Sequence, residues 1–267
     1  MFNKTRNIKL VDLGHKDYVT FMDFIRQSNY KMRKPNKRSA IDLLSYPMEL
    51  TINNWIDNAG LLKEERAIVF ELLKLNKYEK AVRELDFVME KNGEIWLGEI
   101  KTSSSAKSVN KASNQLRKSQ ELLARIGLQT KLLIVHVDMS NDPDIAFSDF
   151  NEDFNKMEFS LLNEKRDDLY FLRLNPDDIF EYGVEYNIIK NESLLIDARN
   201  EANSNKTSQE LRRELKENNV PVEEWPEHLK PKEKLEDSND YIQTFGMEAA
   251  PNLMQQKMMQ ALGLIVA

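Results

Sequence analysis

The sequence predicts an α/β fold, a mixed sheet flanked by helices, and three observations carry that prediction. Residues 131–138 (KLLIVHVD) are an apolar run of strand length, as expected of a strand buried on both faces. Asn92-Gly93 stands between two β-prone runs, the pattern of a two-residue hairpin turn. Apolar residues recur with helical spacing over 15–28, 61–76 and 110–126.

Taken in order, residues 8–11 suit a short strand and 15–28 a helix. Lys31, Arg33, Lys34, Lys37 and Arg38 crowd eight positions around Pro35, which makes 31–38 a basic loop rather than a helix. Residues 61–76 follow Gly60 with Leu61, Leu62, Ile68, Val69, Leu72, Leu73 and Leu75 on a wide apolar face, and are expected to be helical. Residues 82–101 form the hairpin. The helix over 110–126 ends at Gly127, a C′ residue, and leads into the 131–138 strand. Residues 169–172 and 186–189 are strand candidates, and 207–217 is a helix candidate. From 201 onward the chain is charged and broken by Pro221, Pro226 and Pro231, so it reads as a linker or arm. It ends in an apolar, Met-rich helix over 252–265. The expected division is therefore a domain over 1–200 and an extension over 201–267, with 241–267 docking onto a protein partner or a second copy.

Composition narrows the chemistry. The 267 residues include no cysteine, which excludes disulfide scaffolds, thiolate metal sites, iron–sulfur clusters and cysteine nucleophiles. His15, His136 and His228 are scattered, so no Ser-His-Asp arrangement is expected, and His136 reads as a satisfied core or rim residue. With eight glycines and no phosphate loop, ATP-driven chemistry is not expected. No leader pattern and no membrane-length apolar stretch are seen, so a cytoplasmic protein without a membrane partner is expected. The net charge of −6 hides an asymmetry: residues 1–139 carry 24 Lys+Arg against 17 Asp+Glu, a net of +7, whereas 140–267 carry 14 against 27, a net of −13. A basic first half suits a polyanionic partner.

The hairpin holds the chemistry. A tight turn at Asn92-Gly93 opposes Lys91 to Glu94, hence Asp86 to Glu99 and Glu84 to Lys101, all on one face. The other face carries Leu85, Phe87, Met89, Trp96 and Ile100. Two carboxylates opposed across a ladder sit ~5 Å apart and repel. One must be protonated, both solvated, or a cation placed between them. Mg²⁺ accepts such a site, since it takes oxygen ligands and is held by one or two carboxylates.

Asp86, a gap of twelve residues and then Glu99-Ile100-Lys101 resemble the PD-(D/E)XK nuclease superfamily, and RELDFV…IWLGEIKTS is similar to its resolvase-like and RecB-like members. The resemblance covers about residues 60–140. It implies a restriction-endonuclease-like core, in which a central mixed sheet with a catalytic hairpin is flanked by helices, with N- and C-terminal extensions. It also implies Mg²⁺- or Mn²⁺-dependent hydrolysis of phosphodiester bonds, in DNA rather than RNA. By this likeness Asp86 and Glu99 hold metal, the Ile100 carbonyl ligates it, and Lys101 is the family lysine. An acid on the preceding helix is expected at Glu65, with Glu64 as the alternative. Gln115-Leu116 matches the RecB-like Gln-Leu, but Ser119 stands where that group has tyrosine. Little room remains before Asp86 for a first core strand, which residues 47–52 could supply. Lys107, Lys111, Gln115, Arg117 and Lys118, with Lys34, Lys37 and Arg38, are the expected nucleic-acid contacts. The alternative is a catalytically silent nuclease fold acting as a binding or assembly protein through its acidic second half.

Overall fold

The computed structural model describes residues 5–30, 39–103, 105–140, 145–150, 152–163, 166–218 and 220–230. The basic loop with Lys34, Lys37 and Arg38, and the whole of 241–267, lie outside the described residues.

The fold is α/β, with mixed sheets flanked by helices. β1 (Thr5–Asp12), β2 (Glu65–Lys74) and β3 (Lys77–Glu84) form an antiparallel sheet in the order β1-β2-β3. β4 (Phe87–Lys91), β5 (Glu94–Ser103), β6 (Thr130–Asp138), β7 (Ser160–Asn163) and β8 (Arg166–Leu174) form a second sheet in the order β4-β5-β6-β8-β7. β5, β6 and β8 are parallel, while β4 and β7 are antiparallel edge strands. The helices are α1 (Lys16–Tyr30), α2 (Ala40–Asn58), α3 (Ala106–Ala124), α4 (Pro176–Glu185) and α5 (Leu194–Glu217).

The two sheets share one long, bent hairpin. Ala67 pairs with Glu84, the Leu85 N–H reaches the Arg66 carbonyl, and Leu62 bridges Met89, all in one continuing register. The ladder breaks only at Asp86, where the chain turns from β3 into β4. The β4–β5 turn is as expected: Lys91 opposes Glu94, and Asn92 and Gly93 adopt φ of 57° and 75°, the left-handed pair that a type I′ turn demands.

Residues 61–76 are the main departure. They are not helical: β2 runs through them, and Leu75, expected on a buried helix face, sits 96% exposed in the β2–β3 turn. The run from Ala67 to Phe70 is buried on both faces of a strand, so its apolar residues satisfy helical spacing by coincidence. Residues 47–52 are not a strand but lie within α2, which opens on a Ser39/Asp42 capping box. Residues 186–189 are not a strand either, for Tyr186 caps α4 and a turn follows.

The main core lies between α2 and one face of the second sheet. Leu44, Met48, Ile52 and Ile56 of α2 meet Phe87, Met89, Trp96, Ile100, Val135 and Leu172. α3 packs against β5 and β6 from the opposite side. α5 runs unbroken through residue 200, burying Leu195, Ala198 and Ala202 in the main core, and Trp225 and Leu229 are buried beyond it. The linker expected from 201 is thus folded to residue 230, inside a unit that extends from Met1 to Lys232. Apolar positions of α5 are too sparse to announce this in sequence.

Candidate active site at the hairpin bend

Asp86 occupies the break between β3 and β4. Its backbone carbonyl, having left the ladder, accepts from Asn53 Nδ2 and Arg66 Nη1, each at 3.2 Å. Its carboxylate accepts the Ile100 N–H at 2.7 Å, which closes the free end of the β4–β5 pairing. Asp86 therefore belongs to the strand bend as well as to the site.

Glu99 lies on β5, between Asp86 and the parallel neighbour β6, and is 5% exposed. Lys101 Nζ donates to Glu99 Oε1 at 2.5 Å. Burial raises both acids above the ordinary carboxylate range, and Glu99 reaches about 8, pushed further by the Asp86 charge. Burial tends to lower Lys101, but Glu99 and Asp86 outweigh it and hold the amine above the usual lysine value. Arg83, largely enclosed on the neighbouring strand, is lowered by burial while Glu99 and Glu121 favour its charge.

Glu49 of α2 joins this cluster. It is raised to about 7 by burial first and then by the Asp86 charge, with Arg66 acting against the rise. Three acids thus share the bend, each held toward its protonated form. Lys101 and two arginines, Arg66 toward Glu49 and Asp86 and Arg83 toward Glu99, offset them.

The structure brings Asp86, Glu99 and Lys101 together as the spacing predicts. It does not bring Glu65. That residue is on β2, beside a cleft of about 180 Å³ lined by Leu10, Lys63, Val88, Ile95 and Leu128. Glu64 is not on a helix either. Once 61–76 is a strand, the preceding helix is α2, and its acid toward Asp86 is Glu49. A signal for it existed in sequence: Ser45, Glu49 and Asn53 recur at spacing four along a helix whose apolar face is Leu44, Met48, Ile52 and Ile56. Glu84 also departs from expectation. It pairs with Ala67, not Lys101, and accepts from the Tyr18 hydroxyl at 2.8 Å, because the bend at Asp86 assigns it to the other sheet.

On α3, Lys107, Lys111 and Lys118 recur at four and seven residues and so share one face, with Lys107 and Lys111 exposed. Gln115, four residues from Lys111 and three from Lys118, lies along that face, and Arg117 lies off it. The Gln115 Oε1 and Arg117 Nε atoms are buried without hydrogen-bond partners, and the Gln115 backbone carbonyl accepts from Arg83 at 3.5 Å.

All donors at the bend are carboxylate or carbonyl oxygens, the chemistry that Mg²⁺ and Mn²⁺ prefer. Among the described residues, no group of three or more His, Asp or Glu is gathered closely enough to hold a metal ion alone. Also among them, no helix is long and apolar enough to cross a membrane.

No family model and no curated protein matches the chain. Among solved structures it is similar to protein VC1899 from Vibrio cholerae, at 15% identity and a TM-score of 0.26, over 52% of this chain and 31% of that one. The chain thus spans about a third of that protein's length. A likeness of this size leaves the fold to be argued from the chain's own elements.

Proposed function

We propose that this chain is a metal-dependent nuclease with a restriction-endonuclease-like core, hydrolysing phosphodiester bonds of nucleic acid, DNA rather than RNA. The observation that carries the reading is the group of enclosed carboxyls at the hairpin bend, held toward their protonated forms. Asp86 and Glu99 stand together, both raised by burial even though Lys101, Arg66 and Arg83 face them. A fold gains nothing from such a cluster unless something positive completes it. The element order supports the same reading: α2 with its acid, then the bent β2–β3–β4–β5 ribbon, then α3 and the parallel strand β6.

Asp86 and Glu99 would hold Mg²⁺ or Mn²⁺, with Glu49 nearby. A hydrated Mg²⁺ needs only one or two protein carboxylates, which suits a site lacking three gathered ligands. When bound, the ion lowers the pKa of a water and offsets charge on the phosphoryl group. The chain's own residues do the rest. Lys101 faces the developing charge from the same strand as Glu99. The Ile100 N–H fixes the Asp86 carboxylate. Lys107, Lys111 and Lys118 contact backbone phosphates, which gives affinity without base preference.

A second reading is a catalytically silent binding protein, and the closed Lys101–Glu99 ion pair favours it. Incubation with linear, circular and single-stranded DNA, and with RNA, in Mg²⁺ or EDTA separates the two. The expected outcome is cleavage that EDTA abolishes and that falls at least ~10²-fold in Asp86→Ala and in Glu99→Ala. Full cleavage by Glu99→Ala, or none by wild type on any substrate, contradicts the nuclease reading.

A further inference from the structure

We propose that His136 is a positioning residue that ties the strand carrying Glu99 and Lys101 to the first turn of the basic helix α3; the role in catalysis rests on the nuclease reading above. In the parallel ladder Lys101 lies beside His136, and His136 beside Arg173. In-register neighbours of parallel strands share a face, so this polar row continues directly from the site.

His136 is 3% exposed. Its Nε2 lies 3.0 Å from the Ser103 carbonyl oxygen and 3.2 Å from Ser103 Oγ. A carbonyl only accepts, so Nε2 carries the ring proton. Nδ1 is then a bare lone pair with no hydrogen-bond partner, 3.8 Å from Asp138 Oδ2. Asp138, 4% exposed, accepts from the Ser140 N–H at 2.9 Å and pairs with Arg173 at 3.5 Å. Burial holds the imidazole below the ordinary histidine pKa, against Asp138 and in line with Arg173, and keeps it neutral.

From Ser103 the connection passes into α3. Ser103 Oγ is 2.5 Å from Ser108 Oγ, and Ser108 Oγ donates at 2.6 Å to the carbonyl of Ser105, the residue that caps the helix. The Ser103 carbonyl also receives the Met139 N–H at 3.1 Å. These contacts lie at the carboxyl ends of β5 and β6, where α3 leaves toward one face and the chain after β6 packs Met139, Phe150 and Phe154 into the core on the other.

As packing alone, His136 is costly, because one buried ring nitrogen goes unused and a leucine would fill the volume without it. What the ring supplies is a donor at a fixed place between β6, the last residue of β5 and the start of the lysine row. Misplacing reacting groups by ~1 Å costs on the order of 10²-fold in rate.

The test compares His136→Leu, which fills the space without a donor, with His136→Gln, whose amide nitrogen reaches the Nε2 position. In His136→Leu the Ser108 and Met139 amides should exchange hydrogen at least ~10-fold faster relative to Leu122 and Leu132, and kcat should fall ~10-fold or more at constant KM. His136→Gln should restore both to within about threefold of wild type. Unchanged exchange in His136→Leu overturns the tie, whether or not the protein cleaves nucleic acid. Faster exchange with unaltered kcat overturns the positioning role. Equal losses in both variants, following their melting temperatures, also overturn it, since packing would then explain them. A wild type inactive on every substrate overturns the nuclease reading and the catalytic role with it, and its own inactivity tells that failure from the others.

Discussion

The β4–β5 hairpin buries charge at both ends, and the two ends differ in kind. Near the turn, Lys91 is 7% exposed, and its Nζ donates to the carbonyls of Phe154 and Asn155 at 2.8 and 2.6 Å, with the Phe154 and Phe159 rings 5.9 and 5.3 Å away. Burial lowers its pKa, yet the amine is surrounded by acceptors and clamps the 145–159 connection onto the hairpin. At the bend, burial raises Asp86 and Glu99, the Asp86 charge raises Glu99 further, and Lys101 is shared between them. One end is complete within the chain. The other keeps its carboxyls toward their protonated forms although Lys101, Arg66 and Arg83 face them. A buried charge with its partners is an anchor, whereas buried acids with raised pKa values in one cluster mark a candidate functional site.

The largest effect that sharpens this contrast is expected at Glu49. Glu49→Gln should lower cleavage by ~10-fold or more, since it withdraws a charge facing Asp86, and Glu65→Gln on β2 should leave the rate unchanged. Steady-state kinetics on both variants check this, and equal effects would dissolve the assignment of α2 as the acid-bearing helix. Next comes Lys91→Met. The carbonyls of buried Phe154 and exposed Asn155 would lose their donor, at a cost of about 1–3 kcal/mol. That corresponds to a melting point lower by several degrees, read by calorimetry, with cleavage at permissive temperature unchanged. Loss of activity without loss of stability would erase the distinction between the two ends. The smallest effect is electrostatic. Replacing Lys107, Lys111 and Lys118 together should reduce the salt slope of nucleic-acid binding by up to ~3 units, measured by titration at several ionic strengths.

The legible parts of the fold were those with local signals. Asn92-Gly93 set the register that places Asp86 across from Glu99, and the unbroken apolar run of β6 announced a buried strand. Glu49, the helix acid nearest in influence to Asp86, was missed because its helix depended on what 61–76 was. An apolar run of that length is ambiguous between helix and strand, and only pairing with β1 and β3 decides it. The bend at Asp86 has no local signature either. It arises because one ribbon must serve two sheets, which is why Glu84 was expected opposite Lys101. His136 was expected to be a satisfied core or rim residue; it is buried, but its Nδ1 has no partner, and its tie to Ser103 and α3 depends on a parallel crossover that no short pattern records.

The central claim, that Asp86 and Glu99 form a divalent-metal site, is tested most directly by calorimetric titration of Mn²⁺ in buffers of different ionisation enthalpy. Glu99 titrates near about 8 in the folded, metal-free protein, above its ordinary 4.5. A raised carboxyl favours a proton that a metal must displace, and the displacement shrinks as the pH rises. Binding to wild type should release protons at pH 7, release fewer at pH 9, and vanish in Asp86→Asn. Binding that Asp86→Asn retains, or none to wild type at either pH, would contradict the claim.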